Sequence, residues 1–175
     1  MVDIKNAKNS CDELYNYLNE VSQSIVSKKS KYMDDIILKI SKKIDIMDND
    51  ELRVYMGKLS VEAYNLSIYR EDSALKENCA NVLYKEKLAR TFNESTGTVD
   101  SKKNQSIVAS LDSQAVSILY SSVYNLLKTK VEGANRLCNT LNGILISRAA
   151  DAKLSASPRN MVNDNEEENE IWRAF

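Results

Sequence analysis

The sequence predicts an all-α protein of long antiparallel helices, a helical bundle or coiled-coil hairpin followed by an acidic tail. Three observations predict it. Only 4 glycines and 1 proline occur in 175 residues, and folds of many short strands need the turns those residues make. Leu, Lys, Glu, Ala, Asn and Ser dominate the composition, which favours helix over strand. Apolar residues recur at spacings of three and four, and no segment alternates with period two between turn signals.

The first helix is predicted to start near Ser10, a capping residue with Glu13 three positions on. Leu14, Leu18, Val21 and Ile25 form its stripe. The run SKKSK, Ser27 to Lys31, interrupts that stripe. It resumes in a shifted phase as Met33, Ile37, Ile40, Ile44 and Met47. A stutter, a bend or a break into two helices would each produce such a shift.

Asp48 and Glu51 make the next capping pair. Leu52, Met56, Leu59, Ala63 and Leu66 then repeat at four and three, and a second stripe runs through Leu75, Cys79 and Val82 to Ala89. Gly57 costs this helix about 1 kcal/mol relative to alanine and is read as permitting a close helix crossing. Gly133 and Gly143 are read as marks of close packing. Asn93 to Gly97 is a stop signal, with Gly97 free to take positive φ.

A third helix is predicted from Asp100 or Ser101. Leu111, Ala115 and Ile118 open its stripe, and Val123, Leu126, Leu127, Ala134, Leu137, Leu141, Ile144 and Leu145 extend it towards Leu154. Pro158 stops it, since residues before proline avoid the helical region. The bundle is therefore expected to occupy residues 1–157. Residues 158–175 are expected to form a disordered acidic tail. It closes on Ile171, Trp172, Arg173, Ala174 and Phe175.

Composition excludes much chemistry. With no histidine in the chain, Ser-His-Asp and Cys-His pairs and His-bearing zinc sites are impossible. No phosphate-binding glycine motif occurs. The acids Asp34-Asp35 and Glu71-Asp72 are helix neighbours about 100° apart and read as solvated surface. No catalytic residue, metal or cofactor is expected, so the chain is expected to bind rather than catalyse.

No stretch reaches the roughly 18 apolar residues of a membrane span, and the opening MVDIKNAKNSCDELY lacks the apolar core of a signal peptide. Cys11, Cys79 and Cys138 are odd in number and far apart. They read as reduced, partly buried thiols of a cytoplasmic protein.

The net charge of −1 conceals an asymmetry. From Met161 onward, five acids face Arg173 alone; the rest of the chain carries 23 bases and 20 acids. Lys85, Lys87 and Arg90 cluster beside Tyr84 and Phe92, and Lys102 and Lys103 follow the Gly97 turn. A hairpin of the second and third helices gathers these five cations at one end. Cations neutralise phosphates and aromatic rings stack on unpaired bases, so single-stranded nucleic acid is the expected ligand. The competing reading is a hydrated helix end diluted by Glu86 and Glu94.

Lys28, Lys29 and Lys31 either extend the basic surface or form a polar kink. The nine tyrosines are expected to line the core edge with hydroxyls outward. In the tail, carboxylates would steer and Ile171, Trp172 and Phe175 would dock on a protein partner. The tail is similar to the acidic, Phe-terminated tips of bacterial single-strand-binding proteins, from which Arg173 departs. Slender helices bury their stripes poorly as monomers. A homo-oligomer is therefore expected, with Leu137, Leu141 and Leu145 as its contact.

Two segments carry a family resemblance. Ala74 to Gly97, ALKENCANVLYKEKLARTFNESTG, ends a long helix on basic residues, an aromatic and a glycine turn. Val116 to Leu154 closes on SRAADAKL. With the K-x-[KR]-L pattern at Lys85, Lys87 and Leu88, this resembles the small helical proteins of phage recombination clusters, the UvsY-type mediators, over about half the chain. The resemblance implies that Lys85 and Lys87 contact single-stranded DNA and that the terminal helix supports a ring-like oligomer. It also implies residence in the host-cell cytoplasm. The expectation is thus a recombination accessory protein. Two other classes stand beside it: a non-enzymatic phage inhibitor of a host defence nuclease acting by protein–protein contact, and a coiled-coil subunit of a virion.

Overall fold

The computed structural model describes residues 4–156, with side chains from Lys8 to Ser155. The expectations for Ile171, Trp172, Phe175 and the rest of the tail lie outside the described residues. Three helices, α1 (Ile4–Lys43), α2 (Asn49–Glu94) and α3 (Val99–Ala156), account for all of these residues except two short connectors. There is no strand among the described residues.

The helix boundaries follow local chemistry. Asp48 has extended backbone and its Oδ1 accepts the Glu51 N–H at 2.7 Å, which satisfies one of the free donors of a helix start. Gly97 takes φ 109°, the one positive φ among the described residues, and turns the chain between α2 and α3. α1 begins at Ile4, ahead of the expected start at Ser10, because the sequence between them holds no glycine or proline to stop a helix.

α1 is also unbroken through Ser27 to Lys31. Its buried line runs Ser22, Val26, Ser30, Met33, Ile36 and Ile40, one position on from the expected Val21 and Ile25. The apparent phase shift disappears once Ser22 and Ser30 are placed inside. Lys28, Lys29 and Lys31 then point outward and are exposed.

The chain divides into two units, Met1–Cys138 and Asn139–Phe175. In the first, α2 and α3 run antiparallel. Ser60 meets Cys138, Asn81 meets Ser117 and Lys87 meets Asp112, so positions fall on one helix as they rise on the other. α1 packs against both. The Lys29 ammonium lies 4.3 Å from the centre of the Tyr69 ring on α2, and Asp34 pairs with Lys130 of α3 at 2.6 Å.

The apolar core of this unit lies where all three helices meet. Val26, Met33, Ile36 and Ile40 come from α1, Leu52, Leu59 and Leu66 from α2, and Val123, Leu127 and Val131 from α3, and all are buried. Burying one such side chain contributes about 1.5–3 kcal/mol. In the second unit, the described residues are the end of α3. Leu141 and Leu145 are buried there, while Ile146 and Leu154 are exposed.

Beyond that core the α2–α3 pair is built differently. Its buried residues are Ser73 and Ala80 of α2 and Ser106, Ser110, Ser113 and Ser117 of α3. The four α3 serines are spaced four, three and four apart, the repeat of an inward-facing seam. The buried serine hydroxyls find partners on their own helix or across the pair. Ser73 donates to Tyr69 O and Ser110 to Ser106 O, both at 2.9 Å, and Ser117 donates to Asn81 Oδ1 at 2.8 Å.

Leu75, Cys79, Val82 and Ala89 of α2, expected inside, are exposed instead, as are Leu111 and Ile118 of α3. The glycines are not close-packing sites either. A Cβ added at Gly57, Gly133 or Gly143 would meet nothing within 4 Å.

Candidate functional site

The hairpin between α2 and α3 brings the five predicted cations to one end of the first unit, and their electrostatics divide them. The Lys87 ammonium donates to Asp112 Oδ2 at 2.6 Å across the pair, and Arg90 donates to Glu86 Oε1 one turn back at 2.5 Å. Hydrogen bonding from Lys87, aided by the Ser113 N–H, holds the Asp112 carboxyl below the ordinary carboxylate range. These two cations are committed to internal acids. Lys85, Lys102 and Lys103 form no ion pair among the described residues. Lys85 lines a surface groove of about 440 Å³ with Leu88, Ala89, Phe92, Asn93 and Ser106.

The larger feature of the same hairpin is apolar. Because small side chains fill the seam, the aliphatic residues of both helices point away from it. Leu75 and Val82 of α2 are 63 and 64 % exposed. On α3, Ile107, Val108, Leu111 and Ile118 are all exposed, and the spacing of Ile107, Leu111 and Ile118 puts these three on one side of the helix. Monomeric proteins seldom leave contiguous apolar surface open, and where they do it marks an interaction site. A stripe traced through large apolar residues alone runs through Leu111 and Ile118 and passes over the buried serines. The spacing of Ser106, Ser110, Ser113 and Ser117 was the available signal.

Other predicted site residues are placed as follows. Leu141 and Leu145 are buried and Leu137 is half-buried, so the apolar surface of the expected oligomer contact is largely withdrawn from solvent. Cys11 and Cys79 are exposed and Cys138 is half-buried; all three are free thiols. Asp34 is not simply solvated surface. It accepts from both Ser30 Oγ and Lys130 Nζ, at 2.8 Å and 2.6 Å, and links α1 to α3. Several tyrosines do line the bundle edge, with cations over their rings: Lys29 over Tyr69, Arg70 over Tyr124 and Lys76 over Tyr120.

Among the described residues, no group of three His, Cys, Asp or Glu side chains could hold a metal ion, and no helix is long and apolar enough to cross a membrane. Compared with protein-family models, curated proteins and solved structures, the chain matches none.

Proposed function

We propose that this chain is a non-enzymatic adaptor or inhibitor that works by presenting the outer surface of the α2–α3 hairpin to another protein. One observation carries the reading: from Ser73 to Ser117 the buried positions of the hairpin are serine and alanine, while Leu75, Val82, Leu83, Ile107, Val108 and Leu111 stand exposed among charged and polar neighbours. Exposed aliphatic side chains on helices are what a second helix or a groove recognises. The α3 patch of Ile107, Leu111 and Ile118 is the proposed partner contact, and Lys85 with Lys103 would steer approach from beside it.

The recombination-mediator reading is retained as the second. It is favoured by Lys85, Lys102 and Lys103, which form no ion pair among the described residues, at a hairpin end that also exposes Phe92. Against it, four acids, Glu86, Glu94, Asp100 and Asp112, stand among the five cations.

Two measurements decide between them. A photo-crosslinking residue at position 111 or 118, in the cells where the chain acts, should trap one defined polypeptide. The same residue at Lys39 of α1 should not. Titration with labelled single-stranded DNA over a salt series should show no saturable binding near physiological ionic strength. Saturable, steeply salt-dependent binding that is lost on Lys85→Glu with Lys103→Glu would replace the adaptor reading with the second one.

A further inference from the structure

The groove beside Lys85 is built on one face of α2. Lys85, Leu88, Ala89 and Phe92 stand at i, i+3, i+4 and i+7, which sets them in one line along the helix. Ser106 of α3 lines the same groove. Lys102 and Lys103 stand four and three positions before Ser106, on its side of α3.

Nearby acids leave the cations of this groove open. Glu86 is held by Arg90 and Asp112 by Lys87. Glu94 stands two positions from Phe92, and Asp100 two from Lys102, about 200° round the helix in each case. Lys85, Lys102 and Lys103 form no ion pair among the described residues. The groove thus joins an apolar floor, Leu88, Ala89 and Phe92, to a cationic rim.

An acidic stretch of polypeptide with a large apolar side chain beside it fits that chemistry. Carboxylates meet the ammonium groups, and a ring packs on Phe92 and Leu88. The volume of about 440 Å³ lies within the range of about 300–1,000 Å³ that encloses a small ligand.

The chain carries such a stretch itself. Residues 164–170 hold five acids in seven positions, Asp164, Glu166, Glu167, Glu168 and Glu170, and Ile171, Trp172 and Phe175 follow directly. No other seven-residue stretch of the chain holds five acids. Every groove comes with one such segment, so occupancy needs no second species.

We infer that residues 164–175 dock in this groove, with the Trp172 ring on Phe92 and the carboxylates on Lys85, Lys102 and Lys103. This docking does not depend on the adaptor reading, whose contact is Ile107, Leu111 and Ile118. The two share Lys85 and Lys103, so a partner steered by those cations displaces the segment as it arrives.

Trp172 is the only tryptophan, and its fluorescence in the isolated full chain reads the docking. Its emission maximum should be blue-shifted and its quenching by acrylamide weak. Ala89→Glu with Phe92→Glu should shift the maximum to the red and raise quenching several-fold, while the helical circular dichroism is kept because both residues are exposed. Lys85→Glu with Lys103→Glu should act in the same direction. Leu111→Glu with Ile118→Glu should emit like the wild type. A photo-crosslinking residue in place of Trp172 should attach within residues 85–106, as located by mass spectrometry; a crosslink within one copy or between two copies supports the inference equally. A wild type whose tryptophan emits as if in water overturns it. So does attachment outside residues 85–106, or emission that neither groove variant changes. Trapping of another polypeptide at position 111 or 118 is read separately, so either conclusion can fail alone.

Discussion

Two stretches of the same three-helix chain solve the packing problem in opposite ways. Between Val26 and Leu66, and again from Val123 to Ala134, large aliphatic residues face inward and the outer faces are mainly polar. From Ser73 to Ser117 the inward positions hold serine and alanine, and leucine, isoleucine and valine face water. Both stretches obey the three-and-four spacing of interlocking helices. Spacing alone therefore says that a face repeats, not that the face is inside. Side-chain size sets how closely the helices approach, and the large aliphatic residues that do not fit between them stay exposed to solvent.

The largest effect that sharpens this contrast is at the apolar core. Leu59 is fully buried. Leu59→Ala should lower unfolding free energy in urea by about 2–5 kcal/mol through lost burial and the cavity left behind. Ile118→Ala, measured at the same protein concentration, should change it by less than about 0.5 kcal/mol, as exposed positions do. Comparable losses at the two sites would break the distinction between the stretches.

The next effect tests whether the serine seam is closely packed. Ser110 is fully buried and its hydroxyl bonds the backbone of its own helix. Ser110→Leu should cost about 1–3 kcal/mol from overpacking. Ser110→Ala should be neutral or stabilising by a few tenths, since alanine is the better helix former. Stabilisation by leucine, seen as a raised urea midpoint, would mean that the seam has room and that the small residues do not set the helix spacing.

The smallest effect concerns glycines outside both seams. Gly57→Ala and Gly133→Ala should each raise stability by about 0.5–1 kcal/mol, because a Cβ at either position meets nothing and alanine narrows the unfolded ensemble. Destabilisation at either position, read as a fall in melting temperature, would show that the open space is filled by a neighbour.

The broad architecture was legible because its signals are local. Scarcity of glycine and proline gave long helices. Asp48 with Glu51 gave the start of α2, and Gly97 the turn before α3. Leu52 to Leu66 gave the inner face of α2. What could not be read from spacing was the choice between two equally periodic faces, as with Leu111, Ala115 and Ile118 against Ser110, Ser113 and Ser117. That choice is made by a neighbouring helix distant in sequence.

The cationic cluster had the same difficulty. Lys85, Lys87, Arg90, Lys102 and Lys103 were found as a group, but the pairing of Lys87 with Asp112 crosses the hairpin over 25 positions, and no run of adjacent residues announces it. The Arg90–Glu86 pair, one turn apart, was available to a stricter count of helical neighbours.

The serine seam has a consequence for alignment. A zipper of unequal teeth closes in one way only, because each large side chain has a matching hole. Ser106, Ser113 and their neighbours Ser110 and Ser117 are teeth of one size, and sliding α3 by seven positions sets Ser113 where Ser106 stood and Ser117 where Ser110 stood. Over that length the steric fit is nearly degenerate. Uniqueness falls to contacts that cannot repeat: the apolar core residues Val123, Leu127 and Val131 farther along the same unbroken helix, and within the seam the hydrogen bond from Ser117 to Asn81 and the ion pair of Lys87 with Asp112. The serine seam thus takes its alignment from its surroundings, and that alignment decides which outer residues stand side by side.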